Sequence, residues 1–275
     1  MMNNITLSLA KQREPISVER VFFGLSLGIS IISVVYLIKA YMYGSSWLPI
    51  DNAADMRLAV IHCVLGSIVL FVPKVISKVI GIKLPEMLCS FYYLFVLCAT
   101  VLGEMFSLYY AVSFWDSILH FSSGVMIGML GAILIVTFLK KKKCTVLITP
   151  TVIAVASVFF TLCLGLIWEI YEFSVDSWFG FNMQKFMLQD GTELVGQKAL
   201  TDTMKDLLVD SFGALVAATC SYYSLKQGRG WLAEYQIQEL TTIKVQPRYK
   251  RQVLTNSFPK FITNTMASNV TSQDG

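Results

Sequence analysis

Apolar residues run along this chain in long unbroken stretches rather than in alternation. Six windows, about 21–43, 57–80, 85–112, 116–139, 148–175 and 204–225, each hold roughly 20 or more mainly apolar positions, the length needed to cross about 30 Å of hydrocarbon. Only helices and closed barrels cross lipid, and continuous runs without alternation predict helices. The expected fold is therefore all-α: a polytopic membrane bundle of about six transmembrane helices over 21–225, with a cytoplasmic N-terminal segment, 1–20, and a cytoplasmic tail, 226–275. Pro73 and Lys74 interrupt the second window, and the sixth opens with several acids. The first window is longer than a signal-peptide core and lacks a small-residue cleavage site after it, so it reads as a retained helix. Neither an internal repeat nor the discontinuous helices of a transporter are read from the pattern.

Composition agrees. Of 275 residues, 55% are hydrophobic and 15% charged, against about 25% charged in soluble domains. That excludes a soluble enzyme and a disordered chain. A net charge of +4 is too weak a field for a nucleic-acid binder. The six cysteines, Cys63, Cys89, Cys98, Cys144, Cys163 and Cys220, are scattered through apolar stretches without a C-x-x-C. They give neither a disulfide framework nor a zinc site and read as small hydrophobes.

Basic residues set the expected orientation. With the N-terminus cytoplasmic, 17 of the 22 Lys and Arg fall on the inner side, among them Lys74, Lys78, Lys83, Lys140 to Lys143 and seven in the tail; Lys39, Arg57, Lys185, Lys198 and Lys205 remain outside. This positive-inside bias predicts N-in, C-in. The tail is polar and basic and carries Pro247 and Pro259, a composition expected of a flexible segment near anionic lipid. Twelve of the 18 acids sort to the outer side or to the outer halves of helices. Acids contribute little to topology, so their bias needs another cause.

The cause is legible in spacing. Asp116 and His120 stand four apart at the start of the fourth window, with Gly124 and Gly128 below them, one face that turns from polar to small. Gly165, Glu169, Glu172 and Asp176 repeat the arrangement in reverse order on the fifth window, and Asp202, Asp206, Asp210, Gly213 and Ala217 form a third stripe on the sixth. Thr201 or Asp202 is placed to cap that last helix. The expected topology brings all three acidic ends to one leaflet, and Glu104 joins them from the third window. A carboxylate at mid-membrane costs about 2.5–3.5 kcal/mol, so these groups are expected to face inward and share protons or a cation. Oxygen ligands around one imidazole suit magnesium, manganese, iron(II) or zinc, with Asp116, His120, Glu169, Glu172, Asp176, Asp202, Asp206 and Asp210 as the candidate ligand set. A proton-coupled or purely structural polar network is the alternative. Singly, Asp202 and Asp206 suit a helix N-terminus, and Asp190 and Glu193 read as solvated loop acids. His62 reads as structural. The loop 176–202 carries Trp178, Phe179, Phe181, Met183, Gln184, Phe186 and Met187, an interfacial aromatic belt or, alternatively, a lid over the acids.

The run W-D-x-x-x-H-F-x-S-G, then W-E-x-x-E-F-x-x-D, then D-T-x-x-D-x-x-x-D-x-x-G-A, over roughly 100–220, resembles the YjdF-type family of bacterial inner-membrane proteins of unknown function, and carries over onto Asp116, His120, Gly124, Glu169, Glu172, Asp176, Asp202, Asp206, Asp210 and Gly213. More loosely the layout is similar to VanZ-like envelope proteins, although Glu172 and Asp210 stand where that pattern has amides. The resemblance implies a multi-pass protein of the bacterial cytoplasmic membrane. The expected function is chemistry on a lipid or lipid-linked envelope substrate at a divalent metal, with Asp116, His120, Glu169 and Glu172 as catalytic candidates. Cation or proton-coupled transport through the same carboxylates, and a non-catalytic structural role, stand beside it. The expected partners are the bilayer and a lipid-like substrate, with no nucleic acid; substrate, metal and oligomeric state are not read from the sequence.

Overall fold

Local chemistry sets where each apolar window begins and ends as a helix. The computed structural model describes residues 17–44, 48, 50, 53–142, 149–188 and 190–232; most of the expected N-terminal segment, nearly all of the basic tail and Cys144 lie outside them. Helix α1, Val18–Tyr43, starts where the Ser17 hydroxyl accepts from the Arg20 N–H at 3.4 Å and stops at Gly44. The second window is not one helix: α2, Ala53–Val69, and α3, Val72–Ile80, are separated at Leu70 and Phe71. Pro73 is the reason, because it has no N–H to give the preceding turn and its ring crowds it. Asp55–Ile80 together is still long and apolar enough for one span.

The third window also departs from a single helix. Helix α4, Glu86–Leu97, passes into a π-helical stretch, Cys98–Met105. Ser107 then takes a left-handed conformation, φ 55°, and the single turn α5, Leu108–Ala111, follows. Helix α6 covers Trp115–Lys141 and α7 covers Pro150–Phe179, one turn beyond its expected end. Thr149 caps α7 through the Val152 N–H (3.3 Å), Pro150 occupies its first turn, and Gly180 at φ 66° ends it. A 3-10 turn, Gly196–Leu200, runs directly into α8, Thr201–Gln227. The cap position of α8 is therefore Leu200, with no side-chain cap, and neither Thr201 nor Asp202 serves there. No strand occurs among the described residues; Met187 and Glu193 make one isolated antiparallel bridge.

The fold is an all-α membrane-type bundle. Five segments, Val18–Tyr43, Asp55–Ile80, Glu86–Met105, Trp115–Leu139 and Pro150–Phe179, are long and apolar enough to span a bilayer. Helix α8 matches them in length, but its acids and small residues make it less apolar. Helices α6, α7 and α8 pack closely on one another, while α1, α2, α4 and the π segment form a second group that touches α6 through α4 and the π segment. Two apolar cores result. One, around Leu70, Tyr93, Ile133, Val136 and Leu225, lies at the end of the bundle where α1 begins and α6 and α8 finish. The other, around Leu37, Ala59, Cys63, Val101 and Met105, lies at the opposite end.

Burial is inverted relative to a soluble protein. Ile32, Phe159, Phe173, Leu208 and Phe212 point outward, whereas Ser26, Ser30, Ser157, Thr161 and Ser221 are buried at helix contacts. In hydrocarbon nothing drives apolar side chains together, so close contact and interhelical polar groups decide which faces meet. The tightest contact is α6 on α8. A Cβ on Gly124 would sit 2.6 Å from the Asp210 carbonyl oxygen, and one on Gly213 would sit 2.5 Å from the Phe121 carbonyl oxygen. Both obstacles are backbone, so neither can swing aside. Gly124→Ala or Gly213→Ala is expected to cost about 1–3 kcal/mol through forced separation of the helices, read as a lowered unfolding midpoint in detergent titration. Gly24→Ala, in open space on α1, should not lower it, because alanine is the better helix former.

Candidate functional site

Glycine contact decides where the acids meet. Because α6 and α8 touch backbone to backbone at Gly124 and Gly213, Asp206 and Asp210 on α8 are carried against His120 on α6. Gly165 of α7 leaves room from the third side: a Cβ there would lie 2.7 Å from Asp210 Oδ2. His120 Nδ1 is 3.5 Å from Asp210 Oδ2, while its Nε2 is 3.7 Å from Asp116 Oδ1 and 3.9 Å from Asp206 Oδ2. The Ser123 hydroxyl donates to Asp210 Oδ1 at 3.2 Å. Asp116, His120 and Asp206 each offer a ligand atom, all within 4.8 Å of one another. Opposite ligands of an octahedral magnesium ion are about 4.2 Å apart and those of a tetrahedral zinc ion about 3.4 Å apart, so side-chain rotations would close this group on an ion. Asp206 is 1% exposed, and its Oδ1 is buried without a hydrogen-bond partner among the described residues, which leaves a costly acceptor open.

The remaining acids have other work. Asp176 accepts the Met183 and Gln184 backbone N–H groups at 2.8 and 2.9 Å and so pins the loop that follows α7. Glu172 accepts from the Trp168 indole at 2.8 Å. Glu169 Oε2 faces the Gln184 amide at 3.5 Å, and the same amide donates to Thr203 at 2.9 Å; Glu169 Oε1 has no partner among the described residues. Glu169, Glu172 and Asp176 are all less than a tenth exposed. Of the eight expected ligands, Asp116, His120 and Asp206 come together as one ion-sized group. Asp210 flanks it, Glu169 and Glu172 stand behind it, and Asp176 and Asp202 are engaged by the loop. Glu104 is elsewhere, paired with His62 at 2.7 Å.

The loop supplies what sequence reasoning missed. The Lys185 ammonium lies on Asp116 and, at 3.0 Å, on Asp202, bridging α6 and α8. Burial works against its charge, but the two carboxylates outweigh that and hold the ammonium above its ordinary pKa. Lys185 takes a left-handed φ of 48°, a conformation that costs a side-chain-bearing residue of order 1 kcal/mol. Asn182 closes the turn, donating to the Met187 carbonyl at 2.6 Å and accepting its N–H at 3.0 Å. A signal was present: Lys185 is one of only five cations on the expected outer side, with Lys39, Arg57, Lys198 and Lys205. The aromatics split, with Trp178 and Phe179 exposed on the last turn of α7 and Phe181 buried.

The family described as predicted membrane protein, DUF2238, matches residues 29–227, which hold every helix of the acid group. The chain belongs to the DUF2238 family. An uncharacterized protein of Thermotoga maritima is 30% identical over 159 residues, 58% of this chain and 73% of that protein. No solved structure matches. The YjdF-type likeness agrees with DUF2238 membership, and the looser VanZ likeness draws no support from these matches.

Asp176 is the hinge of this arrangement. A carboxylate holding two backbone N–H groups contributes about 1.5–3 kcal/mol per bond, so Asp176→Ala should free the 181–195 loop while the bundle stays folded. Limited proteolysis is expected to cut that loop several-fold faster than in wild type, with unchanged helix content by circular dichroism.

Proposed function

We propose that this multi-pass membrane protein binds a divalent cation at Asp116, His120 and Asp206, and that Lys185 is the tethered cation which the metal displaces. The observation that carries the reading is the buried, ion-sized group with an open Asp206 oxygen and a loop ammonium held against it. An ion supplies the positive charge that these carboxylates need once Lys185 has withdrawn. The donor set, two carboxylates and an imidazole with Asp210 beside them, suits magnesium, manganese, iron(II) or zinc. A bound metal would act as a Lewis acid or lower the pKa of a water. Asp210 orients His120 through Nδ1, which leaves Nε2 toward Asp116 and Asp206.

The substrate class inferred is a lipid or lipid-linked envelope molecule. The group lies toward the bundle end where Trp178 and Phe179 are exposed, as an interfacial belt would require, and the surrounding helices expose apolar faces. Proposed with it are location in a bacterial cytoplasmic membrane and an N-in, C-in orientation, so that the acid end faces outward; the excess of Lys and Arg in the opposite loops supports both. Transport of a cation is the second reading. It is favoured by the break between α2 and α3 and by the π-helical stretch, because interrupted helices are characteristic of transporters.

Elemental analysis of the purified protein tests the metal. Wild type is expected to carry about one divalent ion per chain, and Asp206→Asn and His120→Ala to lose it. Lys185→Met, which removes the competing ammonium but keeps the apolar stem, should bind the same ion at least about tenfold more tightly, a gain of about 1.4 kcal/mol. Absence of metal from both wild type and Lys185→Met overturns the proposal, and cation flux in liposomes without stable binding would replace it with transport.

A further inference from the structure

The second histidine has a charged partner that its sequence context does not announce. His62 on α2 and Glu104 on the π-helical stretch are joined through Nδ1 and Oε1 at 2.7 Å, with side chains only 12% and 17% exposed. The π-helical stretch explains how they meet. Cys98–Met105 is wound wider than an α-helix, and the Phe106 N–H reaches the Val101 carbonyl, five residues back, at 3.1 Å. Such a stretch turns the residues after it relative to a continuous α-helix, and π-bulges collect at functional sites. The packing around it is close: a Cβ on Gly66 of α2 would meet Thr100 at 2.7 Å, and the Tyr109 ring lies directly on Gly103.

The other ring nitrogen is left open. His62 Nε2 is buried and has no hydrogen-bond partner among the described residues. Three protonation states fit the Nδ1 contact. With a neutral ring and a Glu104 carboxylate, Nδ1–H donates and Nε2 is a bare lone pair. With a protonated Glu104 donating to Nδ1, or with an imidazolium beside the carboxylate, Nε2–H is a buried donor that nothing among the described residues receives. An orphaned N–H is the rarer defect in folded proteins, and a charged acceptor gives the stronger, shorter bond. A carboxylate that fixes the tautomer of an imidazole by this bond is the arrangement that prepares the far nitrogen as a base or ligand.

We propose that His62 and Glu104 form a second acid–base site, in which Glu104 holds His62 in the Nδ1–H tautomer and the free Nε2 accepts a proton from a hydroxyl, that of water or of an alcohol group on a lipid. In that step the O–H bond breaks and its electron pair stays on oxygen. The proton forms Nε2–H, and the imidazolium produced is balanced by the Glu104 carboxylate. Cys63, Tyr109, Tyr110 and Tyr171 are among the titratable groups within electrostatic reach of Glu104, and Tyr109 is also within reach of Asp116, Glu172 and Asp206. The proposal needs no metal and is independent of the cation site.

The chain contains two histidines, which makes ring nitrogen NMR decisive. The full chain, labelled with ring-15N histidine and held in lipid nanodiscs, gives two sets of ring signals, and His120→Gln identifies the set belonging to His62. The expected result is a protonated Nδ1 and a bare Nε2 for His62, with magnetisation passing from water to the ring. Glu104→Leu should convert it to the Nε2–H tautomer that free imidazole prefers. The wild-type spectrum decides alone if Glu104→Leu does not fold. An Nε2–H tautomer in wild type, a tautomer indifferent to Glu104→Leu, or a ring that receives nothing from water each overturns the proposal.

Discussion

A carboxylate has no cheap place in hydrocarbon, and the arrangement of α6, α7 and α8 follows from that. Each such group left facing acyl chains would cost about 2.5–3.5 kcal/mol, and α6 to α8 carry seven of them between Asp116 and Asp210. Turned inward, they trade one problem for another, because like charges at 3–5 Å in a poorly screened interior repel strongly. The structure answers with His120 among Asp116, Asp206 and Asp210, and with Lys185 across Asp116 and Asp202. Backbone N–H groups on Asp176 and an indole N–H on Glu172 complete the compensation. What stays uncompensated, Asp206 Oδ1 and Glu169 Oε1, marks where an added cation or proton would be most welcome.

Small residues make this geometry available. A polar cluster shared by three helices requires their axes to approach closely, and a side chain at Gly124 or Gly213 would push them apart. The same glycines that satisfy packing in a medium without a hydrophobic driving force also fix the depth at which His120 meets Asp210. Packing and electrostatics are coupled here through single residues. Gly165 leaves its space to an Asp210 carboxylate oxygen rather than to another backbone.

Much of this was legible because the relevant signals are periodic. Length and apolarity give the helices, and i, i+4 spacing puts Asp116 with His120 and Asp206 with Asp210 before any coordinates exist. Three things were not periodic and were not legible. Helix continuity failed at Leu70–Phe71 and at Cys98–Met105; Pro73 announces the first break, but nothing in the apolar run announces π winding. The contact of Glu104 with His62 lies beside that winding, and no i, i+4 spacing announces it. Lys185 belongs to a loop, where contact is set by turns rather than by repeat, and its left-handed backbone has no composition signature. The acids most exposed to error were accordingly those at helix ends. Asp176 and Asp202 sit on the predicted faces, yet they are claimed by the loop rather than by the ion-sized group.

The character of the Lys185 contact bears on how the acid group is used. An ion pair between two rigid helices would hold its geometry without help from a loop. Lys185 instead reaches in from a loop whose shape depends on a carboxylate of α7 and on Asn182, in a backbone conformation that carries strain, and its side chain is 29% exposed. Withdrawal of the loop would relieve that strain and return the ammonium to water, where it is well solvated, while leaving Asp116 and Asp202 without a counter-charge. The cost of opening therefore falls almost wholly on the acids, and any cation that arrives to neutralise them recovers it. On the cation reading proposed above, a tethered ammonium of this kind would hold the acids together until an ion with several ligands replaced it. That makes entry from the loop end of the bundle, rather than sideways through the apolar helix faces, the route that the electrostatics favour.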